Sequence, residues 1–224
     1  MNDFFIYGSL GFMTLKWIHF LAGITWIGVL YYFNFIQGEW FKEIEDQTKG
    51  AAVRTLVPRA LWWFRWGAMF TFLSGVAMLA VQGHPDFSLN YNVYIYTGAL
   101  MGTFMFLNVW LIIWPAQKVV IASSESVSGG GEADPNAASC LAKAGLASRT
   151  NTLFSIPMLF FMGAARGLGA DVTSQSALIF STVLILLIEA NAIKGKMGPM
   201  ASVKGVIHCG LALTVVLYCS HCFI

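Results

Sequence analysis

A histidine in the first hydrophobic segment is the clearest candidate for chemistry in this sequence. His19 lies in the outer third of an apolar stretch that runs from Met13 to Phe35. An ionisable side chain inside a membrane span is costly, and its presence there indicates a functional site. Gly23, one helical turn beyond, leaves a bare patch for a flat macrocycle, and Trp26 continues that face. Because imidazole ligates iron, we expect His19 to be a haem ligand; a histidine that only hydrogen-bonds a neighbouring helix is the alternative.

The other histidines are further candidate metal ligands. His221 is close to the outer end of the last apolar segment, so it should fall on the same side of a membrane as His19. His84 precedes a proline in an outer loop and is either a partner or a solvent-exposed side chain, and His208 lies at the opposite end of the last segment. The run Cys219-Ser220-His221-Cys222 is not a c-type haem attachment, because no histidine follows the second cysteine. A cysteine–histidine metal site and cysteines that merely pack between helices both stay open there.

Polar side chains also recur at the inner ends of several apolar segments. They are Arg65, Asn108, Arg149, Asn151, Glu189 and His208. Because these residues share one depth, we expect a polar cluster. The cluster would bind a second haem, hold haem propionates through Arg65 and Arg149, or bind an anionic substrate. The alternative is that both arginines extend to lipid headgroups and that Glu189 forms an ion pair with one of them.

The composition assigns the chain to the membrane proteins. Hydrophobic residues make up 57% of the 224 residues, charged residues only 11%, and the mean hydropathy is +0.68. A soluble domain has about 25% charged residues, so much of this surface must face lipid. The basic residues are scattered without an aromatic-interleaved stripe, and we therefore expect no nucleic-acid partner.

Six apolar stretches are long enough to cross a bilayer. They lie near residues 13–36, 61–82, 93–115, 148–168, 174–193 and 203–223. Lysine and arginine concentrate in the loops after the first, third and fifth stretches, whereas the loop after the second has none and the loop after the fourth has only Arg166. The positive-inside rule then places these three loops in the cytoplasm and both termini outside. We expect an all-α bundle of about six transmembrane helices, forming one domain over residues 1–224.

Two cytoplasmic segments and the N-terminus complete this expectation. Residues 39–50 alternate charged and apolar side chains, which is typical of an amphipathic helix on the membrane surface. Residues 119–145 contain three consecutive glycines and an Asp-Pro pair, which indicates a flexible loop. The N-terminus has no basic region before the first apolar stretch, so we expect no cleaved signal peptide.

Four blocks of sequence resemble the membrane domain of the bacterial membrane-bound urate oxidase (urate hydroxylase) family. They are Trp17 to Phe35, Ala60 to Trp66, Asn108 to Lys118 and Ser148 to Met158. The first block is also similar to the histidine-containing first helix of small haem-binding membrane proteins, including one type of protoporphyrinogen oxidase. This second resemblance is shorter and points to haem b.

The resemblance implies a redox function. In that family the membrane domain is usually followed by a cytochrome c domain, but these residues contain no Cys-x-x-Cys-His motif. We therefore expect a haem b protein of the bacterial inner membrane that transfers electrons, or oxidises urate or a similar small molecule. Its electrons would pass to a separate cytochrome c or another subunit at the periplasmic face. A non-catalytic accessory subunit of a larger membrane complex is the alternative, and the sequence leaves the oligomeric state open.

Overall fold

Every regular element in the described residues is a helix. The computed structural model describes residues 8–83, 90–168 and 175–223. The α-helices are α1 (Leu10–Tyr31), α2 (Gly38–Glu43), α3 (Asp46–Thr55), α4 (Val57–Gln82), α5 (Asn90–Leu107), α6 (Trp114–Ser128), α7 (Ala137–Gly167), α8 (Gln175–Lys194) and α9 (Val203–Phe223). A short 3₁₀ turn (Gly198–Ala201) precedes α9, and two π-helical turns, π1 (Tyr32–Gln37) and π2 (Asn108–Ile113), continue α1 and α5.

Local chemistry explains several helix ends. The Ser9 hydroxyl accepts a hydrogen bond from the Phe12 amide at 3.3 Å and caps α1. Pro58 lies in the first turn of α4, where a missing amide hydrogen costs nothing, and Pro115 lies just after π2 within one continuous helix. Gly83 ends α4 at a φ of 83°, a conformation that glycine adopts readily.

Within the described residues, five helical segments are long and apolar enough to cross a membrane. They are Leu10–Glu43, Val57–Gln82, Asn92–Ser128, Gln175–Lys194 and Val203–Phe223. These segments correspond to the first, second, third, fifth and sixth expected spans. The all-α class of the expected membrane bundle is therefore confirmed.

The expected fourth span forms α7, which is not one of these five segments. Its 31 residues are more than long enough, but Ser148 to Thr152 is a run of five polar side chains. Helix α7 packs against α1, α5, α6, α8 and α9, and residues 149–155 are all buried. A helix enclosed by other helices does not need an apolar surface for lipid, so its polar groups can bond to neighbours instead. Composition therefore identifies α7 less clearly than the outer helices.

Two of the expected cytoplasmic segments differ in detail from the structure. Residues 39–50 do not form one amphipathic helix, because Ile44 and Glu45 adopt an extended conformation between α2 and α3. The predicted loop at 119–145 was too long, since α6 continues to Ser128 and α7 begins at Ala137. Only residues 129–136 are non-helical there, and Gly130 adopts a φ of 84°. The three glycines follow the end of α6, and the alanine-rich segment after the loop stays helical because alanine is the strongest helix former.

The two π-helical turns were not predicted. A π turn inserts one residue into the helix and replaces the usual hydrogen bond to the fourth residue by one to the fifth. Such turns are uncommon and often occur at functional sites. Here π1 lies within the first membrane-spanning segment, directly after α1, and π2 interrupts the third one at Asn108.

Candidate functional site

His19 is attached to α4 through one edge of its ring. Its Nδ1 atom lies 2.9 Å from the backbone oxygen of Thr71 and 3.2 Å from the Ser74 hydroxyl. Because a carbonyl oxygen only accepts, Nδ1 carries the proton and donates it. The neutral ring then has its lone pair on Nε2, and Nε2 has no hydrogen-bond partner among the described residues. A metal-binding histidine commonly has this arrangement.

Glycines in α4 allow the close contact with α1. A Cβ atom on Gly75 would lie 3.2 Å from His19 Cε1, so the imidazole ring rests against bare backbone. A Cβ atom on Gly67 would lie 3.1 Å from the backbone nitrogen of Trp26. Gly23 faces Thr71, with room for a Cβ at 3.8 Å. Trp26 itself is buried, and its indole nitrogen has no partner. All three residues predicted to form one haem face, His19, Gly23 and Trp26, therefore lie in the contact with α4.

His221 occupies a different part of the bundle. It is only 3% exposed, and its Nε2 lies 3.3 Å from the Ser181 hydroxyl. The rings of Tyr94 and Phe161 are each 5.5 Å from its ring, and its Nδ1 has no partner among the described residues. Helices α5, α7 and α8 thus surround His221, whereas His19 contacts α4.

The remaining candidate ligands do not assemble into a metal site. His208 is exposed on α9, and His84 lies outside the described residues. In the described part of the chain, no three His, Cys, Asp or Glu side chains come together as a metal-binding group. A metal held only by protein side chains, such as the alternative at Cys219 to Cys222, therefore has no support there.

Three of the inner polar residues form a buried cluster. The Asn108 amide nitrogen donates to Asn151 Oδ1 at 2.9 Å and to Glu189 Oε2 at 3.1 Å. Asn151 donates to the backbone oxygen of Met105 at 2.9 Å. Asn108 is the first residue of π2, so the π turn and this cluster coincide. The cluster joins the third, fourth and fifth spans through hydrogen bonds.

The two arginines lie apart from that cluster. Arg149 Nη2 is 3.8 Å from Glu39 Oε1, and the Glu39 carboxylate is bound more closely by Lys42, at 2.8 and 2.9 Å. The Arg65 guanidinium stacks on Trp114, 3.8 Å from the ring centroid. In the described residues neither arginine pairs with Glu189, so the ion pair expected in the alternative interpretation was wrong.

A cavity of about 850 Å³ lies beside Arg149 at the inner end of the bundle. Residues of π1, α3, α6 and α7 line it, among them Arg149, Asn34 and Gln37. The Asn34 amide donates to the Ser148 hydroxyl at 2.8 Å and joins π1 to α7. Sequence analysis did not identify Gln37, since one glutamine near a span end is not a distinctive signal. Neither His19 nor Arg65 lines this cavity.

Comparison with known families supports the resemblance found in the sequence. A family model described as urate oxidase N-terminal matches residues 87–194, a little under half of the chain. The match contains the blocks from Asn108 to Lys118 and from Ser148 to Met158, while the two earlier blocks precede it. No curated protein and no solved structure matches the chain.

Proposed function

We propose, from the premise that residues 87–194 belong to the urate oxidase N-terminal family, that this protein binds haem b and acts in membrane redox chemistry. It would transfer electrons or oxidise a small molecule, and pass the electrons to a separate carrier on the outer side of the bacterial inner membrane. The carrier would be a cytochrome c or another subunit of a membrane complex. Urate is the substrate that the family name suggests.

The haem proposal depends on one arrangement, in which His19 Nε2 has no partner among the described residues while Nδ1 donates a hydrogen bond to the Thr71 carbonyl oxygen at 2.9 Å. It fixes the tautomer and the ring orientation, and it leaves Nε2 as the ligating nitrogen. A histidine with a purely structural role could donate the same hydrogen bond. The free Nε2 on a half-buried ring is therefore the feature that favours a metal-binding role for His19.

The surrounding residues fit a haem in two further respects. The ring contacts Gly75, so no side chain of α4 covers that part of the imidazole. Arg65 Nη1 is buried without a hydrogen-bond partner among the described residues and offers a donor to a propionate; Arg65 lies about 9 Å from Thr71 along the axis of α4, on another face of the helix. Arg65 would hold a propionate and His19 would hold the iron. Bound haem would supply a reversible one-electron centre.

The absorption spectrum of the purified protein tests this proposal. We expect a reducible b-type spectrum and stoichiometric haem. His19→Ala should abolish a haem band or convert a low-spin signal to a high-spin one, because the iron would lose the histidine that is proposed to hold it. His208→Ala and His221→Ala should be measured in parallel. An unchanged spectrum in His19→Ala, with a loss in one of the other two, would move the ligand to that residue.

Urate-dependent reduction of the haem then tests the oxidase function. Reduction on addition of urate, in protein that otherwise stays oxidised, would support oxidation of this substrate. A haem protein that urate does not reduce would be limited to electron transfer or to another substrate. A colourless protein that still folds in the membrane would favour the accessory-subunit alternative.

A further inference from the structure

The inner cavity is elongated along one face of α6 and the turn before it. Its lining includes a row of residues spaced three or four apart, which therefore share one helix face. They are Ile113, Gln117, Val120, Ser124 and Val127. From Ile113 to Val127 this row rises about 21 Å at 1.5 Å per residue, whereas the hydrocarbon region of one membrane leaflet is about 15 Å thick. The cavity is therefore long enough for one alkyl chain of the length found in membranes.

The wall at the membrane end of this row is mainly apolar. Leu61 and Phe64 of α4 and Ile113 of π2 line it and are at most 3% exposed. The ring of Phe33, another lining residue, packs edge-on against Phe64 with 5.8 Å between the centroids. Asn34 also lines the cavity, but its amide nitrogen already donates to two described oxygens, 2.9 and 2.8 Å away. Methylene groups need no hydrogen bonds and are stabilised by burial against such a wall.

The opposite end of the cavity, on the side that the loop charges assign to the cytoplasm, is basic. The Ser124 hydroxyl donates to the Gly50 carbonyl oxygen at 3.5 Å and places α3 there. Lys49 and Arg54 of α3 line the cavity, and Arg54 Nη1 lies 3.1 Å from the position that a Cβ atom on Gly50 would take. Among the described residues neither cation forms an ion pair, and their side-chain nitrogens are not buried. Asp46 is the only acidic residue that lines the cavity in the described part of the chain, so the charge favours an anion.

We propose that this cavity binds a long-chain fatty acid, with its carboxylate at Lys49 and Arg54 and its alkyl chain extended toward the apolar end. Both cations donate charge-assisted hydrogen bonds to the carboxylate, and the single row along α6 matches a single chain. A phospholipid also has an anionic headgroup, but it carries two chains. The site is separate from the proposed haem site, because neither His19 nor Arg65 lines the cavity.

Photolabelling of the protein in phosphatidylcholine nanodiscs tests the site. The probe is palmitate that carries a diazirine near the end of its chain, and labelled peptides are identified by mass spectrometry after irradiation. We expect saturable labelling of α4 near Leu61 and Phe64, which unlabelled palmitate removes. Labelling that is confined to lipid-facing positions such as Ile24 and Ile179, which are 71% and 64% exposed, would overturn the proposal.

Competitors define which parts of the ligand are recognised. Hexadecanol has the chain of palmitate without the charge, and octanoate has the charge on a shorter chain. Palmitate should compete with the probe about tenfold better than either. Equal competition by hexadecanol would show that the cations play no part, and equal competition by octanoate would show the same of the long chain; each result would overturn the proposal. Phosphatidylglycerol added to the nanodiscs should leave the labelling unchanged, and a loss of labelling would assign the cavity to a phospholipid instead.

Matched variants locate the carboxylate. The double variant Lys49→Gln/Arg54→Gln should weaken competition by palmitate about tenfold, whereas Arg59→Gln removes an exposed arginine outside the cavity and should leave it unchanged. Arg149 also lines the cavity. A loss of binding in Arg149→Gln, with full binding in the double variant, would place the carboxylate on α7 and overturn the proposed orientation.

A second pair of variants tests the position of the chain. Val120→Trp fills the cavity from α6 and should prevent labelling of α4, while Val119→Trp adds the same side chain at an adjacent half-buried valine that does not line the cavity. Equal labelling of α4 in the two variants would exclude the cavity. If Val120→Trp does not fold, the double variant on the surface helix α3 still tests the site. Labelling should persist in His19→Ala, and its loss together with the haem would contradict a separate site.

Discussion

The imidazole of His19 in α1 and the backbone of Thr71 in α4 are joined by a 2.9 Å hydrogen bond. This bond links the first two membrane helices at the residue that the sequence identifies as the best candidate ligand. It also limits what the ring can do, because only Nε2 is left to coordinate a metal. The first prediction concerns the backbone that makes this contact close.

Gly75→Ala should disturb the His19 ring. The added methyl would lie 3.2 Å from Cε1 and 3.5 Å from Nδ1, so the ring must move and the bond to Thr71 must weaken. We expect a shifted haem spectrum or a lower haem content. Gly28→Ala is the control, since nothing lies within 4 Å of that position, and it should stabilise the helix by about 0.5–1 kcal/mol. Identical spectra and stabilities for the two variants would contradict the contact.

Gly67→Ala should separate α1 from α4. Its methyl would meet backbone atoms, 3.1 Å from Trp26 N and 3.3 Å from Ala22 O, and backbone cannot rotate away as a side chain can. We expect a destabilisation of about 1–3 kcal/mol, typical of overpacking. Unfolding in mixed micelles measures it. Gly163→Ala lies on an open face of α7 and should not lower the free energy of unfolding. Equal destabilisation at the two positions would refute the helix contact.

Asn108→Leu should destabilise the bundle, because Asn151 Oδ1 and Glu189 Oε2 both lose a donor. A cost of about 1–3 kcal/mol is expected from two unsatisfied buried groups. Thr103→Val on the same helix removes only a local bond to Ala99 and should cost less than about 1 kcal/mol. The double variant Asn108→Leu/Glu189→Leu should cost less than the sum of its single variants. Strict additivity in a double-mutant cycle would show that the two side chains do not interact.

Arg65→Leu tests the proposed propionate contact. The variant loses the guanidinium that stacks on Trp114 and the unpartnered Nη1 atom. We expect normal insertion and a reduced haem content, with partial recovery in Arg65→Lys, which restores the charge. Haem titration of the purified variants measures the effect. Full haem occupancy together with a loss of only about 0.5–2 kcal/mol in stability would leave Arg65 with its stacking role alone.

The membrane topology is testable with two tags. A tag after Ile224 should report from the outer side, and one inserted at Gly130 should report from the cytoplasm, as the loop charges require. Gly130 lies in the non-helical segment 129–136, so an insertion there does not interrupt a helix. Both tags on the same side of the membrane would show that the number of spans differs by one from that expected.

The sequence by itself determined the class of the protein and the approximate extent of most helices. Hydropathy over about 20 residues is a local property that identifies helices facing lipid, and the described part of the chain contains five such segments. The resemblance to the urate oxidase family also depends on local sequence, and the family match from 87 to 194 confirms it. Candidate polar residues such as His19, Asn108 and Arg149 were recognised because polar groups are rare in spans.

Only the tertiary structure decided how those residues pair. Glu39 and Arg149, 110 positions apart, form the ion pair that was expected of Glu189, and Glu189 instead bonds to Asn108. The π turns also have no signature in composition, because they change hydrogen bonding by one residue without changing polarity. The inner cavity joins residues from Phe33 to Met197. Its charge and shape depend on the packing of distant helices, which no local pattern specifies.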